Sequence, residues 1–275
     1  MPLVMTDIEL SLFIEYIHAL TGIQLDNSKK YLLETRLQDL IEQYDCSTYS
    51  ELYTKSKIDP SKTIEKRIID DVSTNETFFF RDNKTFDLLK FKLVPDMLGE
   101  DLTKPLNIWS AASSTGQEAY TICMVLKEIL FDLSKCRIRV FGTDISQAAV
   151  NAANRGEFSE NEILRGLTLR HTERYFTRSG DKYKINDDLR SICRFQVANL
   201  LSLLTVSGSF DIIFLRNVLI YFSQKDIRTI VTGITKKLNP AGVLIVGLTE
   251  TLLDFKDILE RKEDKGGVYY VKRAG

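Results

Sequence analysis

Residues 107–120 constrain the fold of this chain most, because a short apolar strand there runs into a loop of very small residues and then into a helix. The segment reads Asn-Ile-Trp-Ser-Ala-Ala-Ser-Ser-Thr-Gly-Gln-Glu-Ala-Tyr. In an open α/β sheet, ligands bind beyond the carboxyl ends of the strands, where residues without bulk let the backbone approach closely. The loop that starts at Ala111 is therefore a candidate cofactor site.

Asp144 closes the next apolar strand, residues 138–144. A carboxylate at the tip of the second strand is well placed to accept hydrogen bonds from both hydroxyls of a ribose. The loop lacks the three spaced glycines of a dinucleotide site and the Gly-Lys-Ser/Thr of a P-loop, so pyrophosphate binding is disfavoured. A nucleoside without phosphates fits better, and S-adenosylmethionine is the common one. On the loop alone, an ordinary tight turn between strand and helix is an equal alternative.

The composition predicts an ordinary globular protein that resides in the cytoplasm. The 275 residues, 44% hydrophobic and 27% charged, suffice for one large domain and one small one. A net charge of -1 argues against a general affinity for nucleic acid or for an anionic membrane. The amino terminus lacks a signal-peptide pattern, and no apolar run reaches the ~20 residues of a membrane helix. The 4 cysteines and 2 histidines are too scattered for a metal site or a disulfide framework.

The helical spacing of apolar residues in 1–72 predicts an all-α domain. Its four amphipathic helices are expected to bury their apolar stripes in a small bundle. The helices are predicted at about residues 7–21, 28–44, 49–57 and 61–72. The first stripe contains Ile8, Leu12, Ile17 and Leu20, and the second begins at Tyr31. Residues 73–83 are predicted to be a linker that contributes to the cofactor site. Residues 84–275 alternate strands with helices, which predicts a mostly parallel sheet covered on both faces.

Two stretches depart from this alternation. Residues 174–198 contain short strands around polar turns, including residues 193–197, and predict an antiparallel β insertion. The insertion is either a local elaboration or a docking surface. Near the carboxyl terminus, residues 252–255 and 268–272 are predicted to pair as an antiparallel edge.

Five motifs together resemble the chemotaxis receptor methyltransferases, the CheR-type family, over roughly residues 5–272. They are Ser-Thr-Asn-Glu-Thr-Phe-Phe-Phe-Arg-Asp (73–82), Trp-Ser-Ala-Ala-Ser-Ser-Thr-Gly-Gln-Glu-Ala-Tyr (109–120), Gly-Thr-Asp-Ile-Ser (142–146), Arg-Asn-Val-Leu-Ile-Tyr-Phe (216–222) and Gly-Leu-Thr-Glu (247–250). The sequence departs from the family at Gln117, Ala119 and Leu248-Thr249, where Glu, Pro and His-Ser are usual. The resemblance implies an α/β fold: a Rossmann-like class I methyltransferase domain that follows the helical domain.

The implied activity is methyl transfer from S-adenosylmethionine to glutamate side chains on the cytoplasmic helices of chemoreceptors, which leaves S-adenosylhomocysteine. The enzyme is expected to be a monomer without a metal. The family motifs assign Asn75, Thr77 and Arg81 to the methionine end of the cofactor, Glu118 and Asp144 to its amine and ribose in an open order, Asn199 and Leu200 to the adenine, and Asn217 and Tyr221 to the methyl group. Arg216 and Ala111 complete the expected cofactor site.

Arg81 and Tyr221 are the candidate catalytic residues. A glutamate carboxylate, with an ordinary pKa of about 4.3, is already ionised at neutral pH, so no general base is required. Arg81 could orient the carboxylate bidentately, and Tyr221 could supply a hydrogen bond and a wall beside the methyl group. Alternatively, Arg81 pairs with Asp82 or another acid at the domain junction, Tyr221 belongs to the core, and Glu118 is only a first-turn acid favoured by the helix dipole.

Two other functions stay open: a methyltransferase of another substrate class, and a receptor-binding module that senses S-adenosylmethionine without turnover. Receptor docking is assigned to basic groups of the helical domain, with a solvated basic edge as the alternative. These groups are Lys29, Lys30, Arg36, Lys62, Lys66 and Arg67, of which Lys62 and Lys66 are expected to share a helix face. Because the β insertion contains only Gly180 in its turn, we expect no tethering of a receptor peptide to its edge.

Overall fold

The computed structural model describes residues 3–130 and 132–273. Its amino-terminal part is a bundle of four helices. These are α1 (Asp7–Thr21), α2 (Lys30–Gln43), α3 (Tyr49–Ile58) and α4 (Thr63–Val72), with a 3-10 turn at Asn27–Lys29. α1 begins with a capping box between Thr6 and Glu9 and ends at Gly22, whose φ of 78° only glycine adopts freely.

The predicted apolar stripes of the first two helices were partly wrong. Ile8 is 83% exposed and Tyr31 is 79% exposed. The predicted Ile17 is buried, and the rest of the buried face of α1 includes Leu10 and Phe13. Because α1 is apolar around most of its circumference, periodicity alone does not say which side packs. A polar contact also joins this face to the rest of the bundle, because the Glu9 carboxylate accepts from the backbone N–H of Ser50 at 2.9 Å.

The rest of the chain alternates helices with strands. The helices are α5 (Asn83–Leu88), which continues through a π-helical turn (Leu89–Leu93) into α6 (Val94–Leu98), then α7 (Gln117–Leu130), α8 (Gln147–Arg155), α9 (Glu160–Leu164), α10 (Leu169–Tyr175), α11 (Asp187–Ser191) and α12 (Gln224–Lys237). The strands are β1 (Leu106–Ala111), β2 (Ile138–Asp144), β3 (Glu157–Ser159), β4 (Phe176–Ser179), β5 (Lys182–Ile185), β6 (Cys193–Val197), β7 (Phe210–Leu215), β8 (Leu238–Val246), β9 (Leu259–Asp264) and β10 (Gly267–Lys272).

Seven strands form the main sheet, in the order β6-β2-β1-β7-β8-β10-β9. β6, β2, β1, β7 and β8 run parallel, whereas β10 is antiparallel to both of its neighbours. One apolar cluster packs α5 to α7 against one face of the sheet, and another packs α12 against the opposite face. The predicted α/β class I methyltransferase fold, preceded by a helical domain, is confirmed.

The β insertion differs from its predicted bounds of 174–198. It is a three-stranded antiparallel sheet in the order β3-β5-β4, so it begins at Glu157 and ends at Ile185. Residues 193–197 are β6, the edge strand of the main sheet, in which Cys193 lies opposite Val140 of β2. A five-residue strand does not encode its partner in its local pattern, and this pairing became visible only in the tertiary fold.

The antiparallel pair predicted near the carboxyl terminus was right for residues 268–272 and wrong for residues 252–255. β10 pairs with β9 across a turn at Lys265 and Gly266, and not with residues 252–255. Leu252 and Phe255 are buried core residues at the two ends of a 3-10 turn, which explains their strand-like pattern. The true partner strand, β9, was not predicted because its exposed residues are charged and it lacks an alternating apolar pattern.

Hydrogen bonds join the helical bundle to the carboxyl edge of the sheet. Asp70 of α4 accepts hydrogen bonds at the amino end of α8, from the Ser146 hydroxyl at 2.7 Å and from the Ala148 N–H at 3.1 Å. α4 ends at Val72 and α5 begins at Asn83, and the domain bounds assigned from the sequence stay a prediction. The site described next lies between these two parts.

Candidate cofactor and active site

A cavity of about 490 Å³ opens at the carboxyl ends of β1, β2 and β7. Its walls come from the helical bundle, from residues 72–81 and from the loops that follow the strands. All of the predicted cofactor residues except Ala111 line it, namely Asn75, Thr77, Arg81, Glu118, Asp144, Asn199, Leu200, Arg216, Asn217 and Tyr221. Ala111 is the buried last residue of β1, and its neighbour Ala112 lines the cavity instead.

The loop after β1 adopts a strained backbone. Ala112 and Ser114 have φ values of 63° and 50°, which residues with a side chain rarely adopt. The Ser114 N–H donates to Asp144 at 2.8 Å, and the Ser114 hydroxyl donates to the Asn75 carbonyl at 3.1 Å. The loop therefore joins the tip of β2 to residues 73–81.

Asp144 is buried at the base of the cavity. Its two carboxylate oxygens each accept one backbone N–H, from Ser114 at 2.8 Å and from Ser146 at 3.0 Å. Burial raises the pKa of Asp144, and the hydrogen bonds from Ser146 and Ser114 oppose that effect. Because each oxygen retains a free lone pair, the carboxylate can accept two further hydrogen bonds from a ligand diol.

Arg216 lies in the floor of the cavity and is almost wholly buried. Its Nη1 donates to Glu118 at 2.8 Å, and its Nη2 donates to Asp82 and to the Arg81 carbonyl, both at 2.7 Å. The Ser110 hydroxyl donates to the other Glu118 oxygen at 2.7 Å. Arg216 therefore holds two acids in place, and its terminal nitrogens are occupied by protein groups.

The alternative pairing of Arg81 with Asp82 does not occur, because Asp82 pairs with Arg216. The Arg81 guanidinium donates to the Glu76 carbonyl at 3.1 Å and lies 5.6 Å from the centre of the Phe78 ring. Its side chain lines the cavity with donors to spare.

Glu250 is a residue to which the sequence analysis gave no role. Its carboxylate accepts four backbone N–H groups, from Gly247 at 2.7 Å, Asn217 at 2.8 Å, Val218 at 3.0 Å and Leu219 at 2.8 Å. It thereby holds the ends of β7 and β8 together and fixes the turn that leads to Tyr221. The sequence did contain one indication of this role, because Glu250 is the acid of the Gly-Leu-Thr-Glu motif that directly follows a buried strand.

The connection between α1 and α2 forms one wall of the cavity, which the sequence analysis missed. The Gln24 N–H donates to the Tyr221 carbonyl at 2.8 Å. The Asn199 side chain donates to the Leu20 carbonyl at 3.0 Å. Tyr221 is half-buried and lines the cavity, so it does not belong to the core. The cavity thus exists only where the two parts of the chain meet.

The predicted docking residues do not form one free basic surface. Lys29 lines the cavity. Lys30 pairs with Asp7 at 3.2 Å and Lys62 with Glu65 at 3.2 Å. Arg36 donates to the Val72 carbonyl at 2.5 Å, where it completes the end of α4. Lys66 and Arg67 are exposed on α4, whereas Lys62 precedes that helix with a φ of 57°, so the expected shared helix face was wrong.

Comparison with known proteins identifies the family. Residues 75–266 match the family described as CheR methyltransferase, SAM binding domain, and residues 8–64 match CheR methyltransferase, all-alpha domain. The chain belongs to the CheR methyltransferase family. This CheR-family chain is 34% identical to the chemotaxis protein methyltransferase Cher2 of Pseudomonas putida, over 90% of the chain and 92% of that protein. It is 33% identical to chemotaxis protein methyltransferase 1 of Pseudomonas aeruginosa, over 95% and 97% of the two chains.

The cavity of this CheR-family chain fits S-adenosylmethionine. Its volume of about 490 Å³ lies within the range of small-molecule sites, about 300 to 1,000 Å³. The Asp144 carboxylate has acceptor positions left for a diol, and Leu200 and Ile145 give the cavity an apolar lining. Within residues 3–130 and 132–273, no cluster of three acidic, histidine or cysteine side chains could hold a metal ion. In the same ranges, no helix is both long and apolar enough to cross a membrane.

Proposed function

We propose that this chain transfers the methyl group of S-adenosylmethionine to glutamate side chains on the cytoplasmic helices of chemoreceptors, as a monomeric cytoplasmic protein-glutamate O-methyltransferase. The observation that carries the proposal is that Asp144, Arg81 and Tyr221 line one and the same cavity, in a chain of the CheR family. The relatives named as chemotaxis protein methyltransferases support the same reaction class.

In this proposal, different residues around the cavity bind different parts of the cofactor. The ribose is assigned to Asp144, which offers two free acceptor positions, and the adenine to Asn199 and Leu200. Asn75 and Thr77 serve the methionine end, and Glu118, held by Arg216 at 2.8 Å, provides a negative charge for the amine. When bound, S-adenosylmethionine supplies a methyl group activated by a positively charged sulfur.

The acceptor needs alignment more than activation. A glutamate side chain enters the reaction as a carboxylate, so the site has no proton to remove. Arg81 orients the carboxylate through its guanidinium, and Tyr221 borders the reacting atoms. Because the attacking carboxylate loses its charge as the bond forms, a cavity that excludes water favours the transition state over the separated charges. The wall formed by the connection between α1 and α2 serves that exclusion.

The receptor is expected to approach over the helical bundle, whose residues line the mouth of the cavity. Of the basic groups assigned to docking, Lys29 lines the cavity, and Lys66 and Arg67 are exposed on α4; none of these three forms a salt bridge with the described residues. Acidic receptor helices would be attracted to these groups.

The test is transfer of radiolabelled methyl from S-adenosylmethionine to membranes that contain chemoreceptors. We expect labelled receptor whose label is released by alkali, because a carboxyl methyl ester is alkali-labile. Receptors with the acceptor glutamates changed to alanine provide the matched control. Alkali-stable label would indicate another substrate class. Cofactor binding without any transfer would indicate a sensing module.

A further inference from the structure

A small cavity lies apart from the main one, and every residue that lines it is ionisable. Its volume is about 260 Å³, and its lining residues are Lys90, Glu128, Arg170, His171 and Arg174. The last three come from α10, Lys90 from the π-helical turn before α6, and Glu128 from α7. None of these residues lines the main cavity.

The charges in this cavity do not cancel. Glu128 is its single carboxylate, and both Glu128 oxygens have partners: one contacts the Lys90 ammonium at 2.7 Å, and the other contacts the Tyr175 hydroxyl at 3.4 Å and His171 Nε2 at 3.9 Å. Burial lowers the pKa of His171 below its ordinary 6.5, and Arg170, Arg174 and Lys90 lower it further against the opposing effect of Glu128. His171 is therefore neutral at pH 7.5. Three cations and one carboxylate leave two net positive charges.

The two arginines provide the geometry for an anion. Arg170 and Arg174 are four residues apart on α10, so their side chains project from one face of that helix. The Arg174 guanidinium lies over the Tyr175 ring at 5.2 Å. In the part of the chain that the structure describes, neither arginine forms an ion pair with an acid. Guanidinium groups bind phosphate oxygens in pairs of parallel hydrogen bonds, so two adjacent ones suit a phosphate group.

We propose that this cavity is a binding site for a phosphate group, taken either as the free ion or as part of a small phosphorylated molecule. Its two net positive charges match a phosphate dianion better than a single carboxylate. At about 260 Å³ the cavity is smaller than the sites of drug-sized ligands, about 300 Å³ and above. The ligand is therefore a small anion and not a whole dinucleotide.

The cavity adjoins the segment that leads to the main site. The His171 ring stacks on Phe80, with ring centres 4.7 Å apart and planes 10° from parallel. Phe80 directly precedes Arg81, which lines the main cavity. His171 also provides a local reporter, because the chain has only 2 histidines. The other, His18, is in α1 and interacts with Asp226 at 3.2 Å.

The test follows the two histidine ring signals by NMR at pH 7.5 while inorganic phosphate or ribose 5-phosphate replaces chloride at constant ionic strength. We expect the His171 signals to shift and saturate and the His18 signals to stay unchanged. Saturation by both ligands identifies the shared phosphate group as the recognised feature, whereas saturation by inorganic phosphate alone identifies the free ion as the ligand.

Two variants and a matched control define the site. Arg170→Ala with Arg174→Ala should weaken phosphate binding by about tenfold or more, because it removes both guanidinium forks. Arg178→Ala with Lys182→Ala removes the same charge from the exposed β4–β5 hairpin and should bind phosphate as the wild type does. Glu128→Gln removes the competing carboxylate and should tighten binding several-fold, a gain that a purely structural role for Glu128 would not produce.

Three results would overturn the proposal. The first is a His171 signal that phosphate moves no more than chloride does. The second is an Arg170→Ala, Arg174→Ala variant that binds phosphate with unchanged affinity. The third is a glutamate-rich peptide that moves the His171 signal when neither phosphate ligand does, since the surface would then be a protein contact.

Discussion

At the scale of single residues, Asp144 has the position on which cofactor affinity should depend most. Its carboxylate is fixed by two backbone N–H groups and keeps two acceptor positions free. Asp144→Ala should weaken S-adenosylmethionine and S-adenosylhomocysteine alike, by roughly 1.5 to 3 kcal/mol, the scale of hydrogen bonds to a charged group. Calorimetry with both ligands measures this, with the exposed Asp181→Ala as control. Unchanged affinity in Asp144→Ala would show that the ribose does not bind to Asp144.

Tyr221 borders the same cavity but is expected to act at the reacting atoms. Tyr221→Phe removes only the hydroxyl and keeps the ring that forms the wall. The kcat should therefore fall by about tenfold or more while the Kd for S-adenosylhomocysteine changes little. Steady-state kinetics and calorimetry on the same preparation separate the two effects. Equal losses in turnover and binding would make Tyr221 a structural residue.

Glu250 differs from these residues because it acts through the backbone of its neighbours. Glu250→Gln replaces one oxygen, which accepts two N–H groups, by an amide that cannot accept them. We expect the free energy of unfolding to fall by about 2 kcal/mol. We also expect kcat to fall by about tenfold, because the turn carrying Asn217 and Tyr221 loses its anchor. Urea denaturation and kinetics measure both, with the exposed Glu263→Gln as control. Lower stability with normal kcat would restrict Glu250 to folding.

At the scale of elements, the start of α4 depends on one carboxylate. Asp59 accepts from the Ser61 hydroxyl at 2.6 Å, the Ser61 N–H at 2.9 Å and the Ile64 N–H at 3.0 Å. Led by the hydrogen bond from the Ser61 hydroxyl, these contacts lower the pKa of Asp59 from 3.8 to about 2. The folded state therefore favours the ionised form. The resulting stabilisation is complete above the unfolded pKa and is lost as the pH falls towards 2.

The comparison of wild type with Asp59→Ala tests this dependence. The wild type should be the more stable protein at pH 5 to 7, by a constant margin, and the margin should shrink between pH 4 and pH 2. Urea denaturation across that range measures it. A margin that does not change with pH would show that the Asp59 charge contributes nothing to α4.

At the scale of the whole molecule, the bundle should direct receptor docking without affecting the cofactor. Lys62→Glu with Lys66→Glu reverses the charge at the start of α4 and should lower receptor methylation several-fold, while calorimetry shows S-adenosylhomocysteine binding unchanged. Lys104→Glu with Lys182→Glu makes the same change in net charge on exposed positions elsewhere. If both double variants methylate receptors at the wild-type rate, docking does not use this edge of the bundle.

The sequence by itself determined the fold class, the family and ten of the residues that line the main cavity, namely Asn75, Thr77, Arg81, Glu118, Asp144, Asn199, Leu200, Arg216, Asn217 and Tyr221. Strand β7 and the strand ending at Asp144 were readable because a buried parallel strand is a short apolar run, and its carboxyl end is where polar residues concentrate. Segments 73–82 and 216–222 could be joined to that edge because their motifs resemble one family.

Only the tertiary structure decided which contacts those residues make. Arg216 proved to be occupied by Glu118 and Asp82, and Glu250 proved to hold the turn before Tyr221. The true partner of residues 193–197 and the wall formed by the connection between α1 and α2 also appeared only there. Hydrogen bonds and strand pairings between residues far apart in the chain depend on three-dimensional distance, which local composition and periodicity do not contain.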